Sequence, residues 1–178
     1  MRKTATAVAL TLAAMLSVWT SQANACAGAD RPPNKQTPDA ARHAVTCLIN
    51  HRRAHHHVRR VRGSVSLGIA AQGHSNAMAA FNFFSHEGDG TPASRASAAG
   101  YMTGARAWGV GEDLEWGTGR LGSPRAVVAG WMASPEHRAI LLSRRYRQVG
   151  IGVVQGSPMG PDDPRSGVYT ALFGFRKG

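Results

Sequence analysis

Residues 123–142 read SPRAVVAGWMASPEHRAILL, and this stretch predicts two short helices joined end to end. Ser123-Pro124 and Ser134-Pro135 each place a capping hydroxyl directly before a proline at the first helical position. The side chains expected to point inward are Val127, Val128, Trp131, Met132, Ile140 and Leu141. His137 falls in the first turn of the second helix, where the helix dipole disfavours the charged imidazolium. A neutral imidazole is the form that binds a metal or acts as a general base.

The residues after these helices predict two antiparallel strands. Val149, Ile151 and Val153 alternate with small residues, and residues 168–175 form a second β-prone run. Residues 156–166 lie between them and are rich in Gly, Pro and Asp, which is typical of a hairpin loop.

The residues before the quoted stretch predict three further helices. Thr37 and Pro38 begin a helix over residues 39–54, and Ser64 caps a second one. Thr91-Pro92 begins a short third helix that ends at Gly100. The apolar face of the second helix repeats at spacings of three and four, and its members are Leu67, Ala70, Ala71, His74, Ala77, Met78 and Phe81. We therefore expect His74 to be a core histidine bonded to the backbone.

A short strand is predicted in the glycine-rich middle of the chain, within VGEDLEWG. Alternation places Glu112, Leu114 and Trp116 on one side of this strand and Asp113 and Glu115 on the other. Helices come first and most strands come last. This order predicts the α+β class, in which helices cover a small antiparallel sheet.

The N-terminus has the organisation of a secretory signal peptide. Arg2 and Lys3 are followed by an apolar run to Trp19 and then by the small residues of Ala23-Asn24-Ala25. We predict cleavage after Ala25, which makes residues 1–25 the signal peptide, residues 26–37 an extended lead-in and residues 38–178 the domain. The expected location is secreted or extracellular, and we expect no transmembrane segment in the mature chain. Lipid anchoring at Cys26 is the alternative, although Ala23 is smaller than the residue usual at that position.

The chain has two cysteines, Cys26 and Cys47. An even count in an oxidising compartment predicts a disulfide between them. Such a bond would tether the mature N-terminus to the first helix, and closing this loop stabilises the fold by roughly 3 kcal/mol.

The formal net charge is +11, and a dense basic segment, HRRAHHHVRRVR, spans residues 51–62. We predict that its arginines hold an anionic cell-surface polymer or lipid, and these are Arg52, Arg53, Arg59, Arg60 and Arg62. Arginine far outnumbers lysine, and alanine and glycine are abundant, so a bias in genome composition is the stronger explanation of the charge. The His55-His56-His57 run is expected to be a solvated loop, since consecutive residues point in different directions.

Six motifs occur in an order that resembles the CAP superfamily, also called the SCP-like extracellular domain. They are FFSHEGDGT, R…AGYM, GEDLEWG, WMASPEHRAILL, VGIGVV and a closing aromatic strand, and they cover about residues 43–175. The resemblance implies an α-β-α sandwich in the compact bacterial form. It also implies that His86, Glu112 and His137 line a central cleft, which in some members holds a divalent cation such as zinc.

The sequence departs from the family pattern at several positions. GEN becomes GED, so Asp113 replaces an amide, and Glu136 stands where glycine is usual in SPGHR. Tyr169-Thr170-Ala171 replaces WTQ, which removes another amide side chain. None of these changes removes the set of His86, Glu112 and His137.

Three functions are compatible with the sequence. The first is a non-catalytic binding domain that takes a cation or a small ligand in the cleft. The second is a hydrolase, since protease activity has been attributed to family members; Ser85 beside His86 and Ser134 near His137 are the nucleophile candidates, and whether the chain is an enzyme stays open. The third is nucleic-acid binding by the basic segment, which we do not expect to be specific because no recognised module accompanies it.

Overall fold

The computed structural model describes residues 26–160 and 163–178, which form a four-stranded sheet between two layers of helices. The predicted signal sequence and its cleavage site lie outside these residues. The elements in chain order are α1 (Pro38–His55), β1 (Arg62–Gly63), α2 (Val65–Phe81), α3 (Pro92–Ala98), β2 (Ala107–Thr118), α4 (Pro124–Ala133), α5 (Pro135–Leu141), β3 (Gln148–Gln155) and β4 (Ser166–Lys177). The five predicted helices and the closing strand pair are confirmed.

The sheet has the strand order β1-β3-β4-β2, and its three long strands are antiparallel. The two-residue strand β1 differs from the prediction, because it pairs parallel to β3 through Arg62 with Gln148 and Gly63 with Val149. Strand β2 is also longer than the predicted strand. It begins at Ala107 and pairs with the whole of β4.

Each face of the sheet carries its own layer of helices. Helices α1, α4 and α5 cover one face, where Val45, Trp131 and Phe173 belong to the largest core cluster. Helices α2 and α3 cover the other face, where Leu67 packs against Leu172, and Met78 against Leu114. This arrangement confirms the α-β-α sandwich.

Two glycines of β3 allow α2 to lie directly on the sheet. A Cβ atom added at Gly150 would be 2.0 Å from the carbonyl carbon of Leu67, and one at Gly152 would be 2.1 Å from the Ala71 oxygen. Backbone atoms cannot yield as a flexible side chain can, so these positions exclude any side chain. Residues of VGIGVV therefore alternate between the two faces of the sheet. Gly150 and Gly152 face α2, and Val149, Ile151 and Val153 pack in the core on the α1 side.

The N-terminal lead-in is folded against the domain rather than extended as predicted. It contains a 3₁₀ helix at Pro33–Lys35, and Ala29 is buried. The Ala29 carbonyl accepts a hydrogen bond from the Arg125 N–H at 2.8 Å. The predicted disulfide between Cys26 and Cys47 is confirmed and fixes the lead-in to α1. Over the part of the chain that the structure describes, no helix has the length and hydropathy of a membrane span.

Candidate functional site

Glu112 is the centre of a buried polar network on the α2 face of the sheet. Strand alternation places Glu112 on the same side of β2 as Leu114, as predicted. This side faces α2, and the Glu112 side chain is 1% exposed. Arg95 Nη2 donates to both carboxylate oxygens, at 2.8 Å and 3.0 Å. His86 Nδ1 lies 2.9 Å from Oε2 of the same carboxylate. Both Glu112 oxygens therefore have partners within the protein.

Arg95 ties the loop after α2 to strand β2. It lies on the seven-residue helix α3, and its Nη1 donates to Asp89 Oδ1 at 2.7 Å. The same guanidinium donates to the His86 carbonyl at 3.1 Å and to the Gly90 carbonyl. One buried cation thus fixes two carboxylates and the backbone of the loop that carries His86.

His74 lies on the inner side of the network. Its predicted burial is confirmed, since it is 0% exposed, but its partner is a carboxylate and not the backbone. Nδ1 lies 2.6 Å from Asp89 Oδ1, and Nε2 is 3.8 Å from Glu112 Oε2 with no hydrogen-bond partner among the described residues. Burial lowers the pKa of His74, and the carboxylates of Glu112 and Asp89 act in the opposite direction.

His137 lies in the first turn of α5, outside the hydrogen-bonded network. Ser134 caps the helix by accepting a hydrogen bond from the His137 N–H at 3.5 Å. Burial lowers the pKa of the half-buried His137 ring, and the charge of His86 lowers it further. The His137 ring therefore favours its neutral form.

The structure brings the three predicted cleft residues together only in part. His86 and Glu112 are in direct contact, whereas His137 makes no hydrogen bond to either of them in the described structure. No group of three or more His, Cys, Asp or Glu side chains in residues 26–160 and 163–178 is placed to hold a metal ion. The assignment of all three as metal ligands stays a prediction.

The serines proposed as nucleophiles have structural hydrogen bonds. Ser134 Oγ accepts from the backbone of His137, as its capping role requires. Ser85 Oγ accepts from the Glu87 N–H at 3.2 Å, within its own loop. Neither bond joins a hydroxyl to an imidazole, which is the contact that activates a serine nucleophile.

Sequence reasoning missed two members of the network, namely Arg95 and Asp89, and it gave His74 a backbone partner where the structure has a carboxylate. Arg95 carried a signal, because it is the only long side chain in a helix that otherwise contains Pro, Ala and Ser. Asp89 occurs in the FFSHEGDGT motif, but no local pattern connects it to its partners, which come from two separate helices.

Arg53 does not belong to an anion-binding surface, so this part of the prediction is wrong. Its guanidinium is 0% exposed, and burial lowers its pKa to about 10. It donates to the carbonyls of Arg59, Leu141, Ser143 and Tyr146 at 2.6–3.1 Å. These bonds hold the turn after α1 to the turn after α5. The four remaining arginines of the segment are exposed, and their role stays a prediction; they are Arg52, Arg59, Arg60 and Arg62.

Asp113 faces the opposite side of β2 from Glu112, as the alternation predicted. It is 0% exposed, and neither carboxylate oxygen has a hydrogen-bond partner among the described residues. Burial, and then repulsion by Glu112, raise the pKa of Asp113 to about 8.

Comparison with known proteins decides the family. Residues 47–160 match the family model described as CAP, the cysteine-rich secretory protein family. The chain belongs to the CAP family. The resemblance found in the motifs of its sequence is thereby confirmed. No curated protein matches this CAP chain at a significant level.

Solved structures share the CAP fold of this chain. An outer surface protein from Borrelia burgdorferi has a TM-score of 0.61 at 18% identity, with 75% of this chain and 90% of that chain covered. An extracellular protein containing an SCP domain from Bacillus anthracis has a TM-score of 0.59 at 24% identity, with 80% and 44% covered. A cysteine-rich secretory protein from Staphylococcus aureus has a TM-score of 0.50 at 15% identity, with 78% and 39% covered. This chain therefore spans less than half of the last two.

Proposed function

We propose that this CAP chain is an exported, non-catalytic binding domain whose cleft takes a divalent cation such as zinc through His86 and His137. Export is supported by the predicted signal peptide and by the disulfide, since disulfides persist in oxidising compartments. The location named for the Borrelia and Bacillus proteins, outer surface and extracellular, agrees with it.

The contact between His86 and Glu112 is the observation that carries this proposal. An ionised carboxylate only accepts hydrogen bonds, so the proton of the neutral His86 ring lies on Nδ1, and the lone pair is left on Nε2. The ring is 48% exposed, so solvent reaches it. A carboxylate that holds the other nitrogen of a histidine is the usual arrangement behind a metal-binding imidazole, because it fixes the tautomer and raises basicity.

Glu112 positions His86 in this proposal and does not bind the cation. Both of its oxygens are already held by Arg95 and His86. Moving the carboxylate to a metal would remove one of the two carboxylates that pair with the buried Arg95 guanidinium, which is costly.

The donor set suits zinc or a similar transition ion. Imidazole nitrogens are the ligands of such ions, whereas calcium and magnesium prefer oxygen. His137 fits because its lowered pKa keeps the ring neutral at neutral pH. Two protein ligands are fewer than the four of a closed structural site, so an exchangeable site is expected. A bound zinc ion would act as a Lewis acid toward an oxygen atom of a ligand entering the cleft.

Calorimetric titration of zinc into residues 26–178 tests the proposal. The protein carries His55→Asn, His56→Asn and His57→Asn throughout, because this exposed run offers competing imidazoles. In that background, His86→Ala and His137→Ala should each weaken zinc binding by about tenfold or more. His43→Asn removes an exposed histidine of α1 and should change nothing. Binding should also weaken at acid pH, because the His137 imidazole takes up a proton there, and the lowered pKa of His137 places this loss below the usual histidine range.

Two outcomes would refute the cation proposal. One is the absence of zinc binding to the background protein at neutral pH. The other is binding that survives the loss of either imidazole. In the second case the ion occupies another site.

Export is tested separately by N-terminal sequencing of secreted protein, which should begin at Cys26. Retention of Met1 would contradict it. A lipid thioether on Cys26 would use the sulfur that forms the disulfide with Cys47, so mass spectrometry without reductant separates the two states.

A further inference from the structure

A concave site lies where β4 ends, away from His86 and Glu112. It is a cavity of about 420 Å³ lined by five cationic side chains and one aromatic ring: Arg144, Arg145, Arg147, Arg176, Lys177 and Phe175. We call it the arginine pocket. Sequence reasoning assigned no role to these residues, because their two basic segments are about thirty positions apart along the chain.

The sheet brings the two segments together. The turn between α5 and β3 carries Arg144, Arg145 and Arg147, and the last residues of β4 carry the other two cations. The Arg147 N–H donates to the Gly174 carbonyl at 2.9 Å, which fixes the turn beside the end of β4. All five cationic residues are exposed.

These charges are not neutralised within the protein. In the described part of the chain, no carboxylate lies within ion-pair distance of any of the five cations. Clustered like charges repel one another, so the pocket concentrates a positive potential. A bound anion would relieve this repulsion.

Neutral partners orient several of the guanidinium groups. Arg145 lies 5.0 Å from the centre of the Phe175 ring. Arg147 Nη1 donates to the Tyr146 carbonyl at 3.1 Å, and Arg176 Nη2 donates to the Thr103 carbonyl at 2.6 Å. A carbonyl or a ring holds a guanidinium in place without cancelling its charge. Each arginine has five N–H donors, so these contacts leave others available to a ligand.

We infer that the arginine pocket binds a ligand that carries two or more phosphate charges. The guanidinium fork matches phosphate oxygens in pairs, and arginine is favoured over lysine where such paired contacts matter. A base-stacking role for Phe175 is disfavoured, because Arg145 already lies over the ring and stacking platforms for single strands need a free face. The shared chemistry is clustered phosphate, from either a soluble phosphorylated molecule or a phosphoinositide headgroup.

Inorganic tripolyphosphate is the probe, titrated by calorimetry into residues 26–178. The pocket variant carries Arg144→Gln, Arg145→Gln and Lys177→Gln, which removes three of the five exposed cations that line the cavity. The control carries Arg52→Gln, Arg59→Gln and Arg60→Gln, which removes the same charge from exposed positions of the other basic segment. The pocket variant should weaken binding by about tenfold or more, and the control by less than about threefold. Unchanged melting temperatures show that both variants fold.

Vesicles distinguish the two sources of phosphate. If wild type is retained on phosphatidylinositol bisphosphate vesicles and the pocket variant is not, the ligand is a lipid headgroup. If wild type binds tripolyphosphate but not the vesicles, the ligand is a free phosphorylated molecule. Either result supports the pocket. Equal weakening in the pocket variant and the control would overturn the inference in favour of net charge alone. So would the failure of wild type to bind either probe at low ionic strength. The zinc titration of the cleft is independent of all these outcomes.

Discussion

Glu112 and Asp113 are neighbours on β2, and their carboxylates point to opposite faces of one sheet. Glu112 meets an arginine and two histidines within the network. Asp113 meets no hydrogen-bond donor among the described residues. Both are almost completely excluded from solvent, so the difference lies in their partners alone.

This difference assigns the two carboxyl groups opposite states. The Arg95 guanidinium stabilises the ionised form of Glu112, and the ionised form in turn fixes the tautomer of His86. Burial favours the neutral form of Asp113, whose pKa of about 8 keeps most of it protonated at neutral pH. The family pattern places a neutral amide at the latter position. A protonated aspartic acid preserves that neutrality.

Removal of Arg95 should have the largest effect. Arg95→Met leaves Glu112 buried and ionised without its cation, which costs about 3–5 kcal/mol in free energy of unfolding. Arg52→Met removes an exposed arginine and should cost less than about 0.5 kcal/mol. Denaturant titrations of the two variants measure the contrast. A loss below about 1 kcal/mol for Arg95→Met would show that the network contributes little.

Asp113→Asn should stabilise the protein, and increasingly so as pH rises. The unfolded chain releases this proton near the ordinary aspartate pKa of 3.8, whereas the folded chain holds it to about pH 8. The free energy of unfolding of wild type therefore falls between these values, and the variant lacks that loss. We expect a gain of about 2–4 kcal/mol at pH 8 and less than about 1 kcal/mol at pH 4.5. Thermal melts across this range will test it, and a gain independent of pH would show that Asp113 does not titrate there.

Glu112→Gln should act in the opposite direction from Asp113→Asn. The amide keeps the shape of the side chain but removes the charge that pairs with Arg95, and we expect a loss of about 1.5–3 kcal/mol at neutral pH. Denaturant titration under identical conditions gives the comparison. Equal signs for the two isosteric changes would contradict the assigned charge states.

His86→Ala should have the smallest effect on stability. Its ring is 48% exposed and makes one hydrogen bond to the network, so the expected loss is about 0.5–1.5 kcal/mol. A larger loss would identify His86 as a structural brace rather than a binding residue. Thermal melts of His86→Ala and wild type measure this loss of stability.

Local sequence signals predicted the helices and the sidedness of β2. Helices α1, α3, α4 and α5 each begin with a Ser-Pro or Thr-Pro pair, which is recognisable from a few consecutive residues. Each capping hydroxyl accepts the expected backbone hydrogen bond. The alternation of Glu112 and Asp113 is equally local. These features follow from backbone geometry alone.

Partners distant in sequence were not predictable in the same way. Arg53 lies in a run of basic residues that is mostly exposed, and three of the four carbonyls that accept its hydrogen bonds come from the end of α5 and the turn after it, about ninety residues later. His74 was predicted to be buried, but its carboxylate partner lies fifteen residues away in a loop. The arginine pocket likewise depends on pairing between segments that no local pattern connects.

Zinc titration of the pair Glu112→Gln and Asp113→Asn tests the central claim most directly, because the two changes are chemically matched and adjacent. In the background lacking His55, His56 and His57, Glu112→Gln should weaken zinc binding by about tenfold or more, since it removes the carboxylate behind His86. Asp113→Asn should leave the affinity unchanged within about twofold, since its side chain lies on the other face of the sheet. Equal affinities for the two variants would contradict the claim that Glu112 positions a metal-binding His86.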